Sequence, residues 1–228
     1  MENDDIFPSV QWAKMADLGV QMSSMIHEIR QPLFAIKGLM QLQRGLEGSH
    51  DEAIYKQLER IESLIEHYSA MSQQSRPAEV YDLNLPVGSA VQFMAGRAGS
   101  FGVTLSAQLE EGRLPVLGCA VSVQQVAVNL LQNAYDAVSS GPGTGEVVVR
   151  TKGIGRLVRL EIEDTGGGLE DSVRESLFQP FVTSKPAGKG TGLGLYIVKQ
   201  LVTAASGAIR LVDANQGLRV EVDLPLVA

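Results

Sequence analysis

Val128-Asn-Leu-Leu-Gln-Asn-Ala-Tyr-Asp-Ala-Val138 is the stretch on which the reading of the fold turns. It lies inside Ser122 to Ser139, a run whose apolar residues recur at helical spacing. Asn129 and Asn133 are one helical turn apart, so both amides project from one face. Asparagine is a poor helix former, and two of them amid leucine and alanine suggest a polar task. One such task is to hold a hard cation through carbonyl oxygen. The other reading is a pair of core-edge amides that satisfy backbone groups.

Working outward toward the C-terminus, Gly145 to Lys152 and Leu157 to Asp164 alternate strongly around Gly153-Ile-Gly-Arg156, which predicts a β-hairpin. The second strand ends in Asp164-Thr-Gly-Gly-Gly168. A carboxylate at a strand end can accept from an exocyclic amine, and glycines let a flat ligand come close; an ordinary strand-to-loop turn has the same composition. Gly166 to Gly190 is glycine-rich and weakly periodic, as a mobile active-site loop would be. It contains Phe178-Gln-Pro-Phe181, which could anchor a lid or plug the loop, and Lys185, which could meet a phosphate or be solvated. Gly190-Thr191-Gly192-Leu193-Gly194-Leu195 opens a helix expected from Thr191 to Ala205, and backbone N–H groups at a helix start favour phosphate. No dinucleotide fingerprint is present, because the preceding strand and the ribose-binding acid are missing at the expected spacing. Strands at Ala208 to Val212 and Leu218 to Leu224 close the chain.

Toward the N-terminus the expected elements are strands at Leu114–Leu117 and Val103–Leu109, a helix over Leu85–Arg97 and a strand at Val80–Leu83. Ser75-Arg76-Pro77 is a break and the expected domain boundary. Before it, Gln11 to about Arg44 reads as one long helix with a seam of Met15, Leu18, Met22, Met25, Ile29, Ile36 and Leu39. His27 falls opposite that seam, facing solvent, with Glu28 beside it and Gln31 one turn on. Pro32 removes a helical hydrogen bond and frees the carbonyl of Glu28. Val20 and Phe34 share the face of His27 and are candidate docking contacts, unless the rest of the chain covers them. Asp51 caps a second helix, with Ile54, Leu58, Ile61, Ile65 and Tyr68 on one stripe. Two helices joined by a short turn make an antiparallel hairpin. Trp12, Ile26, Leu33 and Met40 form a further apolar stripe that a lone hairpin leaves wet. Two hairpins paired as a four-helix bundle would cover it, so a homodimer is expected; packing on the same chain is the alternative.

The 228 residues suffice for one large or two modest domains. A net charge of −7 gives no support to nucleic-acid or anionic-membrane binding. Cys119 stands alone, so no intrachain disulfide forms, and a reducing cytoplasmic setting is compatible. No apolar run has the length of a membrane span, and the acidic start lacks the order of a signal peptide.

Taken together and in order, the histidine helix, paired asparagines, D-x-G-x-G, F-x-P-F and G-x-G-x-G resemble the sensor histidine kinases of two-component signalling. The resemblance runs from about Trp12 to the end. His27-Glu-Ile-Arg-Gln-Pro-Leu33 is similar to the phosphoacceptor box, which implies that His27 is phosphorylated. Asn129 and Asn133 match the asparagine box, implying a Mg²⁺ ligand at Asn133 with Asn129 adjacent to metal and phosphates. Asp164, with Gly166 and Gly168, matches the adenine-binding motif; Gly190, Gly192 and Gly194 match the hinge of the ATP lid. The implied architecture is a tail over residues 1–10, a dimerisation and phosphotransfer hairpin over 11–76, and an α/β sandwich of the Bergerat ATP-binding type with a mixed sheet over 77–228. The implied reaction moves the γ-phosphoryl of MgATP to His27 and then to an aspartate on a response-regulator receiver domain. Glu28 would take the imidazole proton.

Three positions depart from the family pattern. Gly118-Cys119-Ala120 stands where an acidic residue is frequent, Thr165-Gly166-Gly167 where Asn-Gly-Pro is usual, and Gln31 where many relatives carry Thr or Asn. Two other classes compete with the kinase: a Bergerat-fold ATP hydrolase, and a non-catalytic dimeric scaffold. Hydrolases of the gyrase and chaperone kind place a water-activating glutamate where Asn129 stands, which argues against the first. Intact motifs argue against the second.

Overall fold

The computed structural model describes residues 33, 36, 61, 78–141, 143–169, 173–174, 176–180, 182–183, 185 and 192–227. The chain forms two compact units, Met1–Tyr68 and Ser69–Ala228. In the first, Leu33, Ile36 and Ile61 are helical, and Leu33 is half-exposed. His27, Glu28, Gln31, the remainder of the expected hairpin and its dimeric bundle lie outside the described residues.

The second unit runs β1 (Glu79–Asp82), α1 (Asn84–Ala98), β2 (Val103–Gln108), β3 (Pro115–Gly118), α2 (Ala120–Ser139), β4 (Gly145–Ile154), β5 (Leu157–Asp164), α3 (Gly194–Ala204), β6 (Ala208–Asp213) and β7 (Leu218–Pro225). Strands β1 and β3 pair as a small antiparallel ribbon, and the main sheet has the order β2-β4-β5-β7-β6. Only β2 and β4 run parallel; the other neighbours are antiparallel. This mixed five-stranded sheet backed by helices fits the Bergerat ATP-binding fold.

Strand alternation explains the two faces. Val158, Leu160 and Ile162 of β5 point one way and are buried, as are Val147 and Val149 of β4 and Val220, Val222 and Leu224 of β7. Ile162 lies opposite Val149 on one side and Val220 on the other. The helices supply the facing layer: Val87, Ala90 and Met94 from α1, Val126, Leu130, Leu131 and Tyr135 from α2, and Ile197, Val198 and Leu201 from α3. Each buried Leu or Ile contributes about 1.5–3 kcal/mol. Tyr135 is fully buried, and its hydroxyl donates to the Met94 carbonyl at 3.1 Å, which ties α2 to α1.

The opposite sheet face is charged. Arg159 forms a two-pronged bond to Asp223, at 2.6 and 3.0 Å, and reaches Glu221 at 2.8 Å. Arg210 joins Asp223 at 2.6 Å; Arg150 and Arg219 share Glu163. Burial alone would raise the Asp223 carboxyl, but hydrogen bonds and charge from Arg159 and Arg210 outweigh it and hold it below the ordinary value. A depressed carboxyl stabilises the fold above its unfolded pKa, and that stability is lost as pH falls through the folded pKa. Arg159→Met should therefore destabilise the domain by about 3 kcal/mol at neutral pH, because Asp223 and Glu221 are left without their main partner. Urea unfolding checks this, and the difference from wild type should shrink once acid protonates Asp223.

The last helix begins at Gly194 and not, as expected, at Thr191. Gly192 has φ +66°, in the left-handed region, so a regular helical turn cannot pass through it.

Candidate functional site

The alternation that buries Ile162 places Asp164 on the same helix-facing side, at the end of β5, only 6% exposed. Its Oδ1 accepts the Gly166 N–H at 2.8 Å, and the Leu218 amide donates to it as well. Burial pushes its carboxyl up; the two amides oppose this, and neighbouring Glu163 adds to the rise. Gly217 makes this placement possible. A Cβ there would collide with the Asp164 carbonyl and lie 2.8 Å from Oδ1.

The glycines around Asp164 have separate tasks. A Cβ on Gly166 would lie 2.5 Å from the Ala137 carbonyl carbon and 2.8 Å from its oxygen. Gly166 is thus required by the packing of the loop on α2. Gly167 and Gly168 take φ values of +94° and +77°, which only glycine adopts readily, and turn the chain away from the strand.

The α2 face carries the other half of the site. Asn133 Oδ1 accepts from Lys185 Nζ at 3.2 Å, and the same ammonium lies 2.5 Å from Asp136 Oδ2. Gln132 Nε2 donates to Asp136 Oδ1 at 2.9 Å. Asn129 Nδ2 is buried and has no hydrogen-bond partner among the described residues. A buried amide left with its donor unused fits a ligand oxygen. The start of α3 closes on the same place: a Cβ on Gly194 would lie 3.8 Å from Asn133 Nδ2. The N–H groups of that first turn have no intrahelical acceptor.

Asn133, Lys185 and Gly194 therefore converge, with Leu193 buried beside them. Gly166, two residues past Asp164, meets the same helix one turn further on, at Ala137. Phe178 ends a short turn, Ser176–Phe178, with the Lys199 ammonium 5.3 Å over its ring, so this aromatic packs toward α3. Phe181, Gly190 and Thr191 lie outside the described residues. Sequence reasoning missed Asp136, Gln132 and Gly217. Asp136 stands at helical spacing from both Asn129 and Asn133 and could have been found that way. Gly217 carries no motif; only its approach to Asp164 identifies it.

The residues fit a divalent cation. Asn133 Oδ1 already accepts a cation, the Lys185 ammonium. Among the described residues no group of three or more His, Cys, Asp or Glu side chains could hold a metal alone. A small hard cation bound here would complete its shell from ligand phosphates and water.

Comparison with known proteins agrees with this geometry. The family described as histidine kinase-, DNA gyrase B-, and HSP90-like ATPase matches residues 118–228. The two-component sensor PprA of Pseudomonas aeruginosa is 32% identical over 96% of this chain and 25% of its own length. Sporulation kinase B of Bacillus subtilis is 28% identical over 93% of this chain and 50% of its own. The chain thus spans between a quarter and a half of these relatives. Histidine kinase ThkA, solved in complex with response regulator protein TrrA, shares the fold with a TM-score of 0.66 at 18% identity, over 100% of this chain and 68% of that one. Residues 118–228 thus match the histidine kinase-, DNA gyrase B- and HSP90-like ATPase family, and nearly the whole chain is similar to part of a two-component sensor.

Proposed function

We propose that this chain is an ATP-dependent protein-histidine kinase core that phosphorylates itself on His27 and passes the phosphoryl group to an aspartate on a response regulator. The observation that carries this reading is the arrangement along α2. A buried carboxylate, Asp164, sits at one end, and a cation-accepting amide, Asn133, sits beneath a helix start at the other. A buried acceptor and a cation-accepting amide with a helix start beside it suit a ligand with an amine-bearing base and a polyphosphate. The relative solved with a response regulator supports the second step.

Asp164 accepts from the adenine exocyclic amine, with Gly166 and Gly168 shaping the turn beside it. Asn129 donates to a phosphate oxygen. Asn133 would hold Mg²⁺, which when bound would offset phosphate charge. The glycine-rich stretch that leads into α3, Gly190-Thr191-Gly192-Leu193-Gly194, offers backbone N–H groups to the phosphates. Lys185 joins them once released from Asn133. At His27 a neutral imidazole nitrogen attacks the γ-phosphorus, the bond from phosphorus to the ADP oxygen breaks, and Glu28 takes the proton from the ring. Gln31, a neutral amide, cannot act as a base but can position a water against phosphohistidine. Residues 11–76 form the phosphotransfer hairpin of a homodimer, and residues 77–228 form the ATP-binding domain.

Asp164→Ala should weaken ATP binding by ten- to a hundredfold, since it removes a charge-assisted hydrogen bond of about 1.5–3 kcal/mol. Calorimetry measures this. In the unaltered chain, ATP affinity should decline with acid from a higher pH than an ordinary aspartate would give, because the Asp164 carboxyl is raised by burial. The reading as a whole is tested by incubating the chain with γ-labelled ATP. Acid-labile, alkali-stable label is expected; ATP turnover with no protein label would favour a hydrolase instead.

A further inference from the structure

We infer that Asn133 and Asp136 form a two-oxygen cation seat that Lys185 occupies until a divalent cation displaces it. This rests on the nucleotide-site reading above and adds a carboxylate, Asp136, to the residues that contact the metal.

The geometry is specific. Two oxygens from one turn of α2 converge on a single positive centre, Lys185 Nζ, at 3.2 Å from Asn133 Oδ1 and 2.5 Å from Asp136 Oδ2. Gln132 Nε2 holds the other carboxylate oxygen at 2.9 Å, so the group that faces the cation has a fixed orientation. Both charged side chains are partly shielded, 28% exposed for Lys185 and 26% for Asp136. One neutral carbonyl and one carboxylate, with the rest of the shell open to phosphate and water, is the donor set a small hard divalent ion takes.

Charge makes the exchange necessary. With Lys185 in place the pair is neutral. If Lys185 moved to the phosphates and nothing replaced it, Asp136 would be left as a bare carboxylate beside a polyanion. Exchange of ammonium for divalent cation removes that repulsion and frees Lys185 for phosphate in the same event. Lys185 is thereby tied to α2 when the metal is absent and released when it binds. A second neighbour limits the space: Gly194 would place a Cβ 3.8 Å from Asn133 Nδ2, so the start of α3 stands beside the seat.

The test uses the full chain without nucleotide and Mn²⁺ as the probe, followed by electron paramagnetic resonance of the free ion. Lys185→Met removes the resident cation and should tighten Mn²⁺ binding by tenfold or more. Asp136→Asn should weaken it at least tenfold relative to wild type, and Lys185→Met with Asp136→Asn together should lose the gain. Circular dichroism confirms that each variant is folded. Equal Mn²⁺ affinity in wild type and Lys185→Met would overturn the exchange. Undiminished affinity in Asp136→Asn would remove Asp136 from the seat. ATP affinity measured separately with Mg²⁺ present distinguishes the two claims: if ATP does not bind at all, the nucleotide reading fails while the Mn²⁺ results still decide the seat.

Discussion

An Asn133→Ala chain should fold normally and lose Mg²⁺-dependent autophosphorylation by about 10²–10³-fold, the scale seen when one preorganised group that stabilises phosphoryl or oxyanion charge is removed. The side chain leaves the helix core intact, because α2 packs through Val126, Leu130, Leu131 and Tyr135 on its other face. What disappears is the carbonyl oxygen that now accepts the Lys185 ammonium. Lys185 keeps its partner Asp136 at 2.5 Å, so the loop attachment should survive. The measurement is the initial rate of labelling at saturating ATP, with far-UV circular dichroism as the fold control and ATP affinity in EDTA as the binding control. A labelling rate near wild type would place the metal elsewhere.

A His27→Ala chain should bind ATP with unchanged affinity and take up no acid-labile label. The two halves of this expectation rest on different parts of the chain. On the proposed reading ATP affinity depends on Asp164, Asn129 and Asn133, all in the second compact unit, Ser69–Ala228. On the proposed reading the label depends on a nucleophile in the first unit, where the sequence spacing predicts His27 opposite the apolar seam. The unperturbed imidazole pKa of about 6.5 leaves a neutral ring nitrogen near neutral pH. Label that persists in His27→Ala would move the phosphoacceptor to another residue; His50 and His67 are the remaining histidines.

Periodicity in the chain determined nearly all of the α/β half. Alternation in Val147–Val149 and Val158–Leu160–Ile162 predicted the hairpin, and the three- and four-residue steps of α2 predicted the helix that covers it. These patterns are legible because a strand face and a helix stripe each bury side chains at a fixed repeat. Asn129, Asn133 and Asp164 were legible for the opposite reason: polar groups interrupt an apolar repeat at positions that the fold buries or half-buries.

The remainder depends on contacts between segments far apart in the chain. Gly217 allows Asp164 its place only because β7 runs beside β5, and no local pattern at Gly217 announces that. Gly166 reads as a turn glycine, whereas its missing side chain is demanded by Ala137 on α2. Lys185 reads as a phosphate ligand, but in the folded chain its ammonium is held by Asn133 and Asp136, some fifty positions earlier. A local repeat encodes which face a residue takes; which partner it meets on that face is decided when sheet register and helix packing bring distant backbone together.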